Sequence, residues 1–216
     1  MKIIPREAGR ITYSTEIRNL KKRLSLSDYQ KSVVVGSLLG DGNLTANWSK
    51  TNYSFQVAHS IKQKTYVLWK YEILRDWILS KPRYYHRNKS ITIKTLSHPE
   101  ISQLARTFYH RRKKVLPESI DRLISNPIIL AVWFMDDGNV IKRNGKVYGY
   151  HINTQSFSKL ENQLISNALY SVFKIESSLE LNHGKYRIRI MKQLSRARFC
   201  EIIGKYILPE MKYKIG

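Results

Sequence analysis

The chain has 216 residues, 42% of them hydrophobic, which allows one domain or two small ones with a buried core and excludes global disorder. Lys and Arg number 38 against 16 Asp and Glu, a net charge of +22, and such an excess points to a polyanionic partner, nucleic acid first. The apolar runs fall short of the roughly 20 residues that cross a membrane, the basic N-terminus lacks an apolar signal core, and the single cysteine, Cys200, permits no intrachain disulfide, so a reducing intracellular compartment is expected.

Residues 1–26 read as a basic N-terminal extension that reaches or wraps. A helix then starts at Ser27-x-x-Gln30, a capping-box pattern. The run Val33 to Leu39 is apolar nearly all round, which suits a buried helix, although its three valines also allow a buried strand. Residues 44–59 and 84–97 read as strands: Tyr53, Phe55 and Val57 alternate with Ser54, Gln56 and Ala58, and Ile91 and Ile93 with Ser90, Thr92 and Lys94. Between them a helix carries Tyr66, Trp69, Ile73 and Trp77 on one face and stops by Pro82. Ser97-His98-Pro99-Glu100 caps another, with Ile101, Leu104, Ala105 and Phe108.

The second half repeats this order. Asn126-Pro127 is an N-cap and first-turn pair, and the run Leu130, Ala131, Trp133, Phe134, Met135 favours a helix, which decides the same question for Val33–Leu39. A strand region over 139–155 turns at Asn144-Gly145. A helix with Phe157, Leu160, Leu164 and Ala168 follows, then a hairpin over 176–192 turning at Asn182-His183-Gly184, then a helix from Leu194 to Tyr206. A period this long marks a duplicated domain of α+β class, with halves at 27–120 and 121–216.

Each apolar helix ends at an acid followed by Gly and Asn: Gly40-Asp41-Gly42-Asn43 and Asp136-Asp137-Gly138-Asn139, with Asp41 and Asp137 96 residues apart. A single Asp-Gly pair is an ordinary turn, with the glycine as a left-handed helix terminator. Two copies in matched context read as one site that receives a carboxylate from each half. An Asp there faces the negative end of its helix dipole, and two of them brought together repel unless a cation sits between. Mg²⁺, with Mn²⁺ as a substitute, suits carboxylates plus phosphate oxygens and activates water for phosphodiester displacement. Gly36 and Gly40 lie one turn apart and would let the second motif helix come close, the carbonyls of Gly40 and Asp136 offer further ligands, and counting from the glycine sets Asp137 opposite Asp41, leaving Asp136 a supporting or packing role. A further echo pairs Lys113-Lys114-Val115-Leu116-Pro117 with Leu208-Pro209-Glu210-Met211-Lys212-Tyr213-Lys214. Lys114 and Lys214 thus become candidates to stabilise transition-state charge or order the attacking water.

In Lys185-Tyr186-Arg187-Ile188-Arg189-Ile190 the cations Lys185, Arg187 and Arg189 point opposite to the apolar residues, giving a core face and a cationic face. Arg87, Lys94, Lys142 and Arg143 enrich similar faces or hairpin tips, and Gln56 and Thr92 add hydrogen-bonding groups. Strand ribbons of this kind fit the major groove and read base edges; the plain alternative is a solvated sheet face. The six histidines show no zinc spacing. Strands of about ten residues would span roughly 33 Å per half, or about 20 base pairs in all.

Val34 to Gly42 and Leu130 to Gly138, together with Asn153-Thr154-Gln155-Ser156-Phe157, Lys113-Lys114 and Met211-Lys212-Tyr213-Lys214, resemble the LAGLIDADG homing endonucleases, single-chain two-motif branch. The resemblance spans about residues 27–215. It implies a pseudo-twofold αββαββα monomer in which two antiparallel, saddle-shaped sheets lie over DNA and the motif helices form the domain interface. It further implies that Asp41 and Asp137 bind Mg²⁺ and cut both strands across the minor groove, leaving short 3′ overhangs, and that Lys114 and Lys214 match the family's active-site basic residues. Ser37 and Leu39 in the first motif, and Val132 and Trp133 in the second, depart from the family pattern without touching the acids. Unlike halves imply a target that is not a strict palindrome. The alternatives are an intron RNA maturase, a non-cleaving DNA-binding protein on the same scaffold, or a basic RNA-binding module. A mitochondrial or chloroplast location is open to a eukaryotic chain.

Overall fold

The computed structural model describes residues 15–216. Expectations for the start of the basic extension, residues 1–14, lie outside the described residues. Its remainder includes a helix, α1 (Thr15–Arg23), whose Ile17 is buried. Lys21 of α1 donates to Ser97 Oγ at 3.2 Å, and its carbonyl meets His98 Nε2 at 2.9 Å.

Two runs of elements then follow in the same order. The first is α2 (Asp28–Leu39), β1 (Asn43–Ala46), β2 (Tyr53–Ser60), α3 (Lys64–Ile73), β3 (Arg83–Tyr85), β4 (Ser90–Lys94) and α4 (Pro99–Phe108). A two-residue hairpin, β5 (Tyr109–His110) and β6 (Lys113–Lys114), and a short helix, α5 (Ile120–Ile124), lead to the second run. That run is α6 (Pro127–Asp137), β7 (Gly138–Arg143), β8 (Lys146–Ile152), α7 (Lys159–Phe173), β9 (Ser178–Asn182), β10 (Lys185–Ile190) and α8 (Gln193–Gly204), closed by a 3₁₀ turn over Pro209–Lys214. The antiparallel four-stranded sheets also match, with orders β1-β2-β4-β3 and β7-β8-β10-β9. The fold is α+β, and αββαββα occurs twice. Among the described residues no helix is long and apolar enough to cross a membrane.

The residues group into two compact units that are not contiguous in sequence. The first takes described residues up to Lys31 together with Gly42–Arg106. Its core sets Phe55, Val57, Ile91 and Ile93 from the sheet with Tyr66 and Val67 from α3, Leu74 just past its end, and Ile101 and Leu104 from α4. The second takes Ser32–Asp41 and Thr107–Gly216. The first motif helix joins the second unit because its small residues admit α6: a Cβ on Gly36 would meet the Ile129 carbonyl and Val132 Cβ, each at 2.7 Å, and one on Gly40 would meet Asp136 Cβ at 2.6 Å. Both helices are apolar all round because both are covered all round; Val33–Val35, Leu38 and Leu39 on one and Ile129–Met135 on the other are buried.

Local signals worked where they named a specific hydrogen bond. Ser27 and Gln30 form the reciprocal capping box, at 3.0 and 3.2 Å. Asn126 Oδ1 accepts from Ile128 N at 3.0 Å with Pro127 in the first turn. Asn144-Gly145 and His183-Gly184 take the two positive φ values that tight hairpin turns need.

Other expectations need correction. Gly138 is not a left-handed terminator: its φ and ψ are −83° and 153°, and it opens β7 directly. Gly40 and Gly42 are also absent from the positive-φ set. What Gly138 supplies is space, since a Cβ there would lie 2.1 Å from the Phe134 ring. Helix α3 ends at Ile73 rather than by Pro82, and Trp77 sits in a separate 3₁₀ turn over Arg75–Trp77. Helix α7 buries Asn162, Ile165, Ala168 and Leu169, whereas Leu160 and Leu164 are 67% and 46% exposed and Phe157 precedes it. Its start is set by a capping box between Ser158 and Glu161 that the apolar pattern did not reveal. The sheet strands run three to eight residues, not ten.

Candidate functional site

Asp41, Asp136, Asp137, Lys114 and Lys214 all fall in the second unit. Helix α2 delivers Gly40 and Asp41 just past its end, and α6 delivers Asp136 and Asp137 as its last two residues. Close approach at Gly40 lets Asp136 Oδ2 accept from Asp41 N at 3.3 Å. Carboxylate oxygens of Asp41 and Asp136 lie within 4.8 Å of each other. Asp136 is buried and Asp41 exposed.

The two late lysines do matching work. Lys114, on β6, donates to the Gly40 carbonyl at 2.7 Å. Lys214, buried in the terminal 3₁₀ turn, donates to the carbonyls of Met135 at 2.5 Å and Asp136 at 2.8 Å. Each lysine therefore binds the peptide oxygen that precedes a motif acid. The hairpin carrying Lys114 turns through Arg111 and Arg112, both at positive φ. A carbonyl oxygen has two lone pairs and can accept more than one partner.

Charge crowds this site. Burial, and then the charges of Asp41 and Asp136, push the Asp137 carboxyl up to about 8 against the pull of Lys114 and Lys214. Burial lowers the Lys114 ammonium below its ordinary value, opposed by Asp137, Asp136 and Asp41. A buried carboxyl pushed up beside two further acids marks a hard-oxygen donor set short of positive charge, and the residues fit a hard divalent cation.

The expected nucleic-acid residues divide between the two sheets. In the first unit Gln56 pairs with Lys94, and Thr92 pairs with Ala58 and Arg83, so the three share a face. Lys94 is exposed and Gln56 half-buried, but Thr92 is only 8% exposed and has little left to offer a ligand. Arg87 is exposed in the turn between β3 and β4. In the second unit Lys142 and Arg143 are exposed at the end of β7, past a bulge, with the Arg143 guanidinium 4.2 Å from the Tyr148 ring centre. Lys185, Arg187 and Arg189 alternate with buried Ile188 and Ile190, as the pattern requires. Arg187 and Arg189 are not free cations, however, because Glu180 on β9 gathers both. Sequence reasoning missed Glu180, His151 and Asn153 as parts of this face. His151 and Glu180 were marked only by the strand alternation of β8 and β9, which carried no cationic pattern, and Asn153, just past β8, only as the first residue of the Asn153–Phe157 motif.

A duplicated αββαββα order, with an acid at the end of each leading helix and a lysine braced against the preceding carbonyl, defines a class of two-motif, acid-paired proteins. Residues 31–197 match the sequence model of the LAGLIDADG DNA endonuclease family, and the chain belongs to that family. It is 30% identical over 209 residues to the probable intron-encoded endonuclease 1 of Wickerhamomyces canadensis, covering 92% of this chain and 89% of that protein. It is also 30% identical over 214 residues to DNA endonuclease I-ChuI of Chlamydomonas applanata, covering 89% and 97% respectively. Among solved structures it is similar to the homing endonuclease I-WcaI bound to its DNA recognition sequence, with a TM-score of 0.85 and 27% identity over 96% of this chain and 95% of that one.

Proposed function

We propose that this protein is a site-specific, Mg²⁺-dependent endonuclease that hydrolyses both strands of a long, asymmetric DNA duplex and leaves 3′ overhangs. The observation that carries the reading is the matched bracket of Lys114 on the Gly40 carbonyl and Lys214 on the Asp136 carbonyl, around acids that crowd one compact unit. Asp41 and Asp137 would hold the metal, with the Gly40 and Asp136 carbonyls as further ligands. A divalent ion there lowers the pKa of water and offsets the charge that builds on the phosphate. Asp136 orients Asp41 through the backbone N–H it accepts. Lys114 and Lys214 keep the two acid-bearing turns in place and add positive charge where the pentavalent phosphorus would form.

The halves 27–120 and 121–216 each supply one sheet for the duplex, as a monomer. The longest strand, β2, has eight residues; at about 3.3 Å each it spans about eight base pairs, so two halves cover roughly 16 and the hairpin tips extend that toward 20. Gln56, Arg87, Lys94, Lys142, Arg143, Lys185, Arg187 and Arg189 supply the contacts. One cysteine and an intron-encoded relative suit an intracellular, organellar setting.

The test is cleavage of a randomised duplex library in Mg²⁺ by wild type, Asp41→Asn and Asp137→Asn. Discrete cuts lost in either variant support the reading and yield the target. Specific binding without cleavage in Mg²⁺ or Mn²⁺ refutes it in favour of a binding or maturase role.

A further inference from the structure

The polar face of the second unit's sheet holds one acid among its cations. Glu180 pairs with Arg187 across β9 and β10. Its Oε2 accepts from Arg187 Nε at 2.7 Å and Nη2 at 2.6 Å, and lies 2.8 Å from His151 Nε2; its Oε1 is 3.6 Å from Arg189 Nη1. Burial works to raise the Glu180 carboxyl, but the Arg187 hydrogen bond and the charges of His151, Arg187 and Arg189 outweigh it and hold it below the usual value. It is an anion at neutral pH.

The arrangement continues toward the acids. Arg187 Nη1 donates to Asn153 Oδ1 at 3.3 Å. Asn153 gives both its backbone N–H, at 2.9 Å, and its Nδ2, at 2.7 Å, to the Asp137 carbonyl. Asn153 is itself set by the turn that follows, where Thr154 and Asn162 bond each other in the core. Arg187 is thus fixed by contacts at three nitrogens.

An acid on a face that binds a polyanion lowers affinity for any duplex. A face built for affinity alone would leave Arg187 free to find a phosphate. Here three of its five N–H groups are engaged, leaving two on the terminal nitrogens, the number a bidentate contact with guanine O6 and N7 requires. We infer that Glu180 is a specificity-determining residue, which withholds Arg187 from the phosphates and holds it for a base edge, so that general affinity is exchanged for discrimination. This rests on the DNA reading above.

The test measures binding of full-length protein across a NaCl series to two duplexes, one bearing the site recovered from the library and one scrambled. Wild type, Glu180→Gln and Arg187→Lys are compared, with circular dichroism melts as a check on folding. Glu180→Gln should bind the scrambled duplex about three- to tenfold tighter, with a log–log salt slope steeper by about 1 as Arg187 reaches a phosphate. Its preference for the true site should fall by roughly tenfold or more. Arg187→Lys should lose about tenfold on the true site and little on the scrambled one. Equal loss on both duplexes, or a preference kept within about twofold, in Glu180→Gln overturns the inference. If that variant does not fold, an unchanged preference in Arg187→Lys overturns it. A wild type that prefers neither duplex refutes the DNA reading itself.

Discussion

Replacing Asp137 by Asn should abolish cleavage and, in metal-free protein, stabilise the fold. In the folded chain its carboxyl titrates near 8 instead of 3.8, chiefly from burial, then from Asp41 and Asp136. A carboxyl with a raised folded pKa contributes fully below pH 4 and loses that contribution as pH rises through about 8. Each pKa unit is about 1.4 kcal/mol, so near pH 8 the ceiling of the cost is on the order of 5 kcal/mol. Solvent reaches part of the carboxyl and the two lysines lose an attractive partner in the variant, so a net gain of about 2 kcal/mol is the working figure. For a chain of this size that is about 4–8 °C in melting temperature. Thermal melts in EDTA at pH 5 and pH 8 measure it, and the gain should at least double, roughly, between them. Mg²⁺ should then raise the wild-type melting temperature and leave the variant nearly unmoved. A variant that melts at or below wild type at pH 8, or gains equally at both pH values, would show that the acids are not crowded as described.

Lys214→Met strands two buried carbonyls and should cost about 2–4 kcal/mol, more than Lys114→Met, which strands the Gly40 carbonyl, while each lowers the cleavage rate about 100-fold; urea melts and single-turnover cleavage separate the two effects. Gly40→Ala sets a methyl carbon 2.6 Å from Asp136 Cβ, so the motif helices must part: about 1–3 kcal/mol lost in a thermal melt, and cleavage reduced far beyond what that loss explains. On α7, Leu164→Gln should stay within about 0.5 kcal/mol of wild type in denaturant unfolding, because its side chain is half exposed, whereas Ile165→Ala should cost about 2–4 kcal/mol.

What the chain alone determined is what short-range physics settles. Caps at Ser27 and Asn126 and turns at Asn144-Gly145 and His183-Gly184 depend on residues two or three apart, and all could be read directly. The alternation of Phe55 and Val57, and of Ile188 and Ile190, marked each sheet's core face, since side chains on a strand must alternate. The repeat of an apolar run, an acid and a late lysine exposed the duplication and nominated Asp41, Asp137, Lys114 and Lys214 before any fold was in hand. Gly36 and Gly40, one turn apart, foretold a close helix pair.

The tertiary structure decided the rest, because it depends on what lies across space. Leu160 and Leu164 were legible as apolar but not as exposed, since Ile165, Ala168 and Leu169 offer α7 an equally regular face and only packing chooses between them. The role of Gly138 was misread because its reason is the ring of Phe134, not its own φ. The lysines were visible as candidates, but their grip on the Gly40 and Asp136 carbonyls is made over 74 and 78 residues of chain. Glu180 carried no sign in the sequence beyond its place in the alternation of a strand: an acid there becomes a clamp on Arg187 only when the register of β9 against β10 sets the two side by side.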